Sequence, residues 1–118
     1  NRACVKHRKP LVSGAAIRFD GQISVYDPRS GASPCYACVF PEAASFEETR
    51  CATMGVFAPL VGIIGTLQAA EAIKLLCGIG TSLAGRLLML DGRGMEFTEV
   101  RIARQSSCTV CGAPHSGR

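Results

Sequence analysis

Two Cys-x-x-Cys pairs are the residues of this 118-residue chain best suited to chemistry. Cys35 and Cys38 flank Tyr36-Ala37, Cys108 and Cys111 flank Thr109-Val110, and 69 residues separate the pairs. Zinc takes a tetrahedron of soft ligands, and two such knuckles supply four thiolates. A site closed by four protein ligands leaves no position for water, so its role would be structural rather than catalytic. Pro34 before the first pair and Gly112 after the second are the turn signals a knuckle needs. Two local redox pairs, disulfides across the loop, or unrelated buried thiols would use the same residues. Paired knuckles are more specific than a single one, and this favours zinc.

Cys51 is the other candidate for reactivity. It follows Arg50, and a nearby cation favours the nucleophilic thiolate. The ordinary alternative is a small buried hydrophobe. His115 is a bystander on this reading, because four cysteines already complete a metal site.

These residues need elements to position them. Residues 1–6 read as the end of a helix already under way, broken before Pro10. Residues 11–17 suit a buried strand, Asp20-Gly21 is a hairpin dipeptide, and residues 22–26 alternate as a half-buried strand does. Pro28, Gly31, Ser33 and Pro34 then lead into the first knuckle. Residues 39–54 show no sustained periodicity and read as a long loop, the kind that is usually functional in a compact domain. Residues 59–76 form the clearest helix, with Pro59 in its first turn and Gly78 as its stop. Its apolar side chains cover almost the whole circumference, so burial on most sides is expected. A membrane span is the competing reading, but Gln68, Glu71 and Lys74 interrupt the apolar run; Glu71 and Lys74 can pair. Residues 86–90 and 95–102 form a second hairpin through residues 91–94. A change of phase at Thr98-Glu99 predicts a bulge. The final strand delivers the second knuckle, and residues 113–118 are expected to be a flexible tail.

Composition bounds the function. Apolar residues make up 47% of the chain, too many for disorder, and the net charge of +4 is modest. The cluster Arg2, Lys6, Arg8, Lys9 reads better as a solvated face than as a phosphate site. No Trp, 6% aromatics and no basic-aromatic interleaving argue against nucleic acid. Seven cysteines, an odd number, without a secretory signal at the start, lead to the expectation of a reducing compartment, the cytoplasm.

Several stretches together resemble one family. These are residues 11–16, Gly21-Gln22-Ile23, Pro34-Cys35-Tyr36-Ala37-Cys38, residues 55–76, Gly85-Arg86-Leu87, and Cys108-Thr109-Val110-Cys111-Gly112. In this order they are similar to the ThiF/MoeB/HesA family, bacterial relatives of ubiquitin-activating enzymes. The resemblance implies an α+β fragment of the α/β activating-enzyme fold over residues 1–112, with mixed or antiparallel strands, one long buried helix and zinc knuckles. It also implies an ATP-dependent adenylyltransferase that activates the C-terminal glycine of a ubiquitin-like sulfur carrier, of ThiS or MoaD type. The sulfur would serve thiamin or molybdopterin biosynthesis.

On the same resemblance the family's zinc ligands fall on Cys35, Cys38, Cys108 and Cys111. The crossover loop over the carrier tail falls on residues 39–54, and a carrier-linking cysteine falls on Cys51. A homodimer is the expected assembly. The family's Gly-rich nucleotide turn and its arginine, lysine and aspartate groups for ATP and magnesium have no counterpart here. The expectation is therefore the C-terminal half of an activating enzyme, inactive by itself, with ATP and magnesium bound only in the longer parent. The alternative is a free-standing zinc-stapled binding module, with no membrane or nucleic-acid partner expected for either.

Overall fold

The computed structural model describes residues 1–42 and 55–112. The chain opens with a short helix α1, Arg2–His7. It ends where Arg8 takes a left-handed conformation (φ 54°) and its N–H reaches back to the carbonyls of Cys4 and Val5. Lys6 and His7 in the last turn suit the negative end of the helix dipole.

Among the described residues, four strands follow around two further helices: β1 Leu11–Ile17, β2 Asp20–Tyr26, α2 Tyr36–Val39, α3 Ala58–Cys77, β3 Arg86–Asp91 and β4 Glu96–Arg101. They form one antiparallel sheet in the order β1-β2-β3-β4, with isolated parallel bridges at Arg18–Val56 and Val25–Ala84. Residues opposite one another share a face of a sheet. Val12, Gly14 and Ala16 of β1 therefore line up with Val25, Ile23 and Gly21 of β2, and Ile23 and Gly21 with Leu88 and Leu90 of β3. This face meets α3. Its core forms around Ile23, Val25 and Leu83 at one end, and around Leu60, Ile64 and Leu90 at the other.

Glycine allows the helix to come close. A Cβ on Gly14 would sit 2.6 Å from the Gln68 side chain and 2.7 Å from that of Ile64. Gln68 uses the proximity to donate to the Val12 carbonyl at 3.3 Å. At the far end of α3, Gly78 caps the helix in the left-handed conformation (φ 65°), as the stop signal predicted. The buried Glu71 carboxylate accepts the Leu83 N–H at 2.7 Å and pairs with Lys74 at 2.5 Å. Together these contacts fasten the chain beyond α3 to the helix.

Three expectations need correction. The long helix is present, but it is buried along one face rather than on most sides: Leu60, Ile64 and Glu71 are its buried residues, while Val61, Ile73 and Leu76 are exposed. It lies mainly against β1 and β2, with Leu90 of β3 packed at its Leu60 end, and one face of a sheet covers one stripe of a helix and no more. By length and composition α3 could also cross a bilayer, a weak signal that core helices share.

Asp20-Gly21 is not the turn. Ile17 pairs with Asp20, so the two-residue turn is Arg18-Phe19, and Asp20 and Gly21 belong to β2. A positive φ of 56° at Arg18 supplies the twist that such hairpins require. The bulge at Thr98-Glu99 is also absent, because β4 pairs with β3 one-to-one from Arg101 to Glu96. All six residues of this edge strand are exposed, so a shift in apolar phase there costs little burial.

A candidate four-thiol centre

The two knuckles meet at one end of the fold, although 73 positions separate Cys35 from Cys108 and Cys38 from Cys111. The first is a helical turn. Buried Pro34 leads into Cys35, the N-cap of α2, and Cys38 donates its N–H to the Cys35 carbonyl at 3.0 Å. Tyr36 stacks at a tilt on Phe40 (4.9 Å between centroids) and meets Tyr26 edge-on (5.7 Å), anchoring the turn to β2. Asn1 adds a side-chain brace. Its amide oxygen accepts the Tyr36 N–H at 3.2 Å, and its nitrogen donates to Cys35 Sγ at 3.5 Å.

The second knuckle follows β4. Ile102 donates its N–H to the Gly85 carbonyl at 3.0 Å, and Cys108 donates to Gln105 at 3.0 Å. Gly112 donates to the Cys108 carbonyl at 2.9 Å. A Cβ on Gly112 would lie 2.2 Å from that same oxygen, so this turn admits only glycine.

All four sulfur atoms lie within 4.8 Å of one another. Cys38 and Cys111 are 3.3 Å apart, Cys35 and Cys108 3.7 Å, and Cys35 and Cys38 4.0 Å. Zinc–sulfur bonds of about 2.3 Å in a tetrahedron place the sulfurs about 3.8 Å apart. The four thiols therefore fit a zinc ion with small adjustments. They stand as free thiols, not as disulfides. Among the described residues this is the group of titratable side chains arranged to hold a metal.

The surroundings favour thiolates at specific atoms. Gln105 donates its N–H to Cys38 Sγ at 3.3 Å, and Val110 donates to Cys108 Sγ at 3.4 Å. Burial tends to raise the Cys108 thiol, but N–H donation within its knuckle and hydrogen bonds from Cys35 and Cys38 outweigh it and bring it down to about 7. Burial pushes Cys35, Cys38 and Cys111 up. A bound dication would reverse that balance, since a coordinating thiol is deprotonated outright.

Cys51 and most of the crossover loop at 39–54 lie outside the described residues, as does His115. Cys4 is partly exposed and Cys77 exposed, neither in the thiol cluster. Residues 91–94 join β3 to β4, in keeping with their reading as the turn of the second hairpin. Sequence reasoning missed Asn1, Arg104 and Gln105 as supports of the centre. Each acts across a fold contact that no local pattern announces.

The ThiF family profile matches residues 1–110. The chain is 45% identical over 115 residues to the molybdopterin-synthase adenylyltransferase of Escherichia coli (strain K12), covering 95% of this chain and 44% of that protein. It is 49% identical over 115 residues to the adenylyltransferase and sulfurtransferase MOCS3 of Dictyostelium discoideum, covering 95% of this chain and 27% of that one. It thus spans under half the length of either relative. Among solved structures, Escherichia coli MccB superposes with a TM-score of 0.77 at 18% identity, over 96% of this chain and 35% of MccB. At that identity the likeness speaks for the fold alone. The sheet and its helices, the order of the matching stretches and the match over residues 1–110 agree: the chain belongs to the ThiF family.

Proposed function

We propose that this chain is the zinc-holding, carrier-docking part of an adenylyltransferase that serves molybdopterin synthase, formed by the C-terminal half of its activating domain. The observation that carries the reading is the convergence of Cys35, Cys38, Cys108 and Cys111, in a family whose similar members bear that activity in their names. The name of the Escherichia coli relative favours the molybdopterin branch over thiamin.

In the parent reaction, the C-terminal glycine carboxylate of a MoaD-type carrier attacks the α-phosphorus of ATP. The bond to the β-phosphate oxygen breaks, and pyrophosphate leaves. ATP and magnesium belong to the part of the parent outside this chain. Within the chain, four thiolates would hold zinc with no open position, tying the lead-in to residues 39–54 to the end of β4. Cys51 is assigned a sulfur-carrying role on the loop that covers the carrier tail. The working state is a cytoplasmic homodimer.

Titration calorimetry of this chain with a purified MoaD-type carrier tests the docking, and ATP–pyrophosphate exchange tests the division of labour. Carrier binding without exchange is expected. Exchange by this chain alone, or a carrier that does not bind, contradicts the reading. Zinc retention without carrier binding supports a free-standing zinc-stapled module instead.

A further inference from the structure

We propose that Arg104 is the positioning residue of the four-cysteine centre, a two-pronged strap that holds the second knuckle against the lead-in of the first and slows metal release. The proposal rests on the zinc reading above. Residues 105–112 contain no helix or strand, so the shape of the second knuckle depends on individual hydrogen bonds. Arg104, half-buried just beyond β4, provides two of them across the fold. One guanidinium nitrogen donates to the Gly31 carbonyl at 3.2 Å, and another donates to the carbonyl of Cys111.

Gly31 lies in the loop that feeds Cys35, while Cys111 is the last thiol of the other knuckle. One planar group therefore spans both halves of the centre. The residue beside it extends the brace, because the Gln105 N–H points at Cys38 Sγ at 3.3 Å. Only arginine offers a rigid fork of donors for two acceptors at once; lysine supplies a single compact charge. Partners of this kind orient the metal ligands, and their loss typically weakens metal sites by about 10–100-fold.

The test compares zinc release from the wild-type chain, Arg104→Ala and Arg104→Lys in excess chelator, followed by a chromophoric zinc indicator. Cobalt substitution reports the ligand set through its thiolate charge-transfer band. All three proteins are expected to show the four-thiolate spectrum. Arg104→Ala should release zinc roughly 10–100-fold faster than wild type. Arg104→Lys should be nearly as fast, because its charge cannot bridge both carbonyls.

Wild-type release from Arg104→Ala overturns the proposal, and so does full rescue by Arg104→Lys, which would assign the effect to charge alone. Should Arg104→Ala fail to fold, Arg104→Lys carries the comparison by the same criterion. Arg86→Ala, which breaks the Arg86–Glu99 pair on the sheet, is the control. An equal acceleration there would mean general loosening and would also overturn the proposal. A wild-type chain that holds no zinc fails at the underlying reading, a result distinct from zinc held and released at one rate by every variant.

Discussion

The carboxylate of Glu71 accepts the backbone N–H of Leu83 at 2.7 Å from inside the core, twelve positions earlier in the chain. Only 6% of Glu71 is exposed, yet its charge is matched by Lys74, which also donates to the Thr81 carbonyl at 2.8 Å. This pair turns the end of α3 into a clamp on the segment that enters β3.

Glu71→Ala should therefore destabilise the fold by about 1–3 kcal/mol, the cost of leaving a buried donor unpaired. Glu71→Gln should cost less, because its amide oxygen can still accept from Leu83. Chemical denaturation measures both, and faster amide exchange at Leu83 in Glu71→Ala locates the damage.

Two glycine substitutions should have opposite signs. Gly14→Ala forces a Cβ to within 2.7 Å of Ile64 and should cost about 1–3 kcal/mol as α3 is pushed off the sheet. At Gly65, in the interior of α3, a Cβ meets nothing within 4 Å. Gly65→Ala should stabilise the chain by about 0.5–1 kcal/mol through helix propensity. Parallel thermal melts decide; a Gly14→Ala protein as stable as wild type would contradict the close approach of α3 to β1.

How much of this was legible in the sequence varies by element. Local signals worked where one residue settles a local geometry: Pro59 and Gly78 bracketed α3 closely, and the Cys-x-x-Cys spacing marked both knuckles. Asp20-Gly21 misled because the dipeptide preference competes with the β1–β2 register, which moves the turn to Arg18-Phe19. The apolar circumference of α3 overstated its burial, since composition cannot say how much of the surrounding surface this chain supplies. Glu71, Asn1 and Arg104 were illegible as supports, because the partners they hold lie 7 to 73 positions away, beyond the reach of a local pattern. Even so, the Glu71–Lys74 pairing was visible from helical spacing.

Alkaline pH should weaken the fold through Tyr26. Burial pushes its phenol up to about 12, against about 10 for an exposed tyrosine. The native state thus holds this proton more tightly than the unfolded chain does. The corresponding stability is fully present below about pH 10 and is lost as pH rises toward 12, on the order of 2 kcal/mol. Tyrosinate absorbance and circular dichroism over that window should show late ionisation of Tyr26 coupled to loss of structure. Ionisation near pH 10 without unfolding would contradict it.

The cysteines should divide sharply by role. Cys35→Ser and Cys108→Ser each remove a ligand and should unfold the chain, because structural zinc contributes on the order of 10 kcal/mol to folding. Cys51→Ser should leave both fold and metal intact. Far-UV circular dichroism with metal analysis separates these outcomes, and a folded, metal-free Cys108→Ser protein would contradict the zinc staple.

The most direct measurement is metal content together with free-thiol titration on the wild-type chain, purified without chelator. One zinc per chain is expected, with Cys35, Cys38, Cys108 and Cys111 protected and reactivity confined to Cys4, Cys51 and Cys77. No metal, with the four knuckle cysteines paired as disulfides, would contradict the zinc centre on which the proposed function is built.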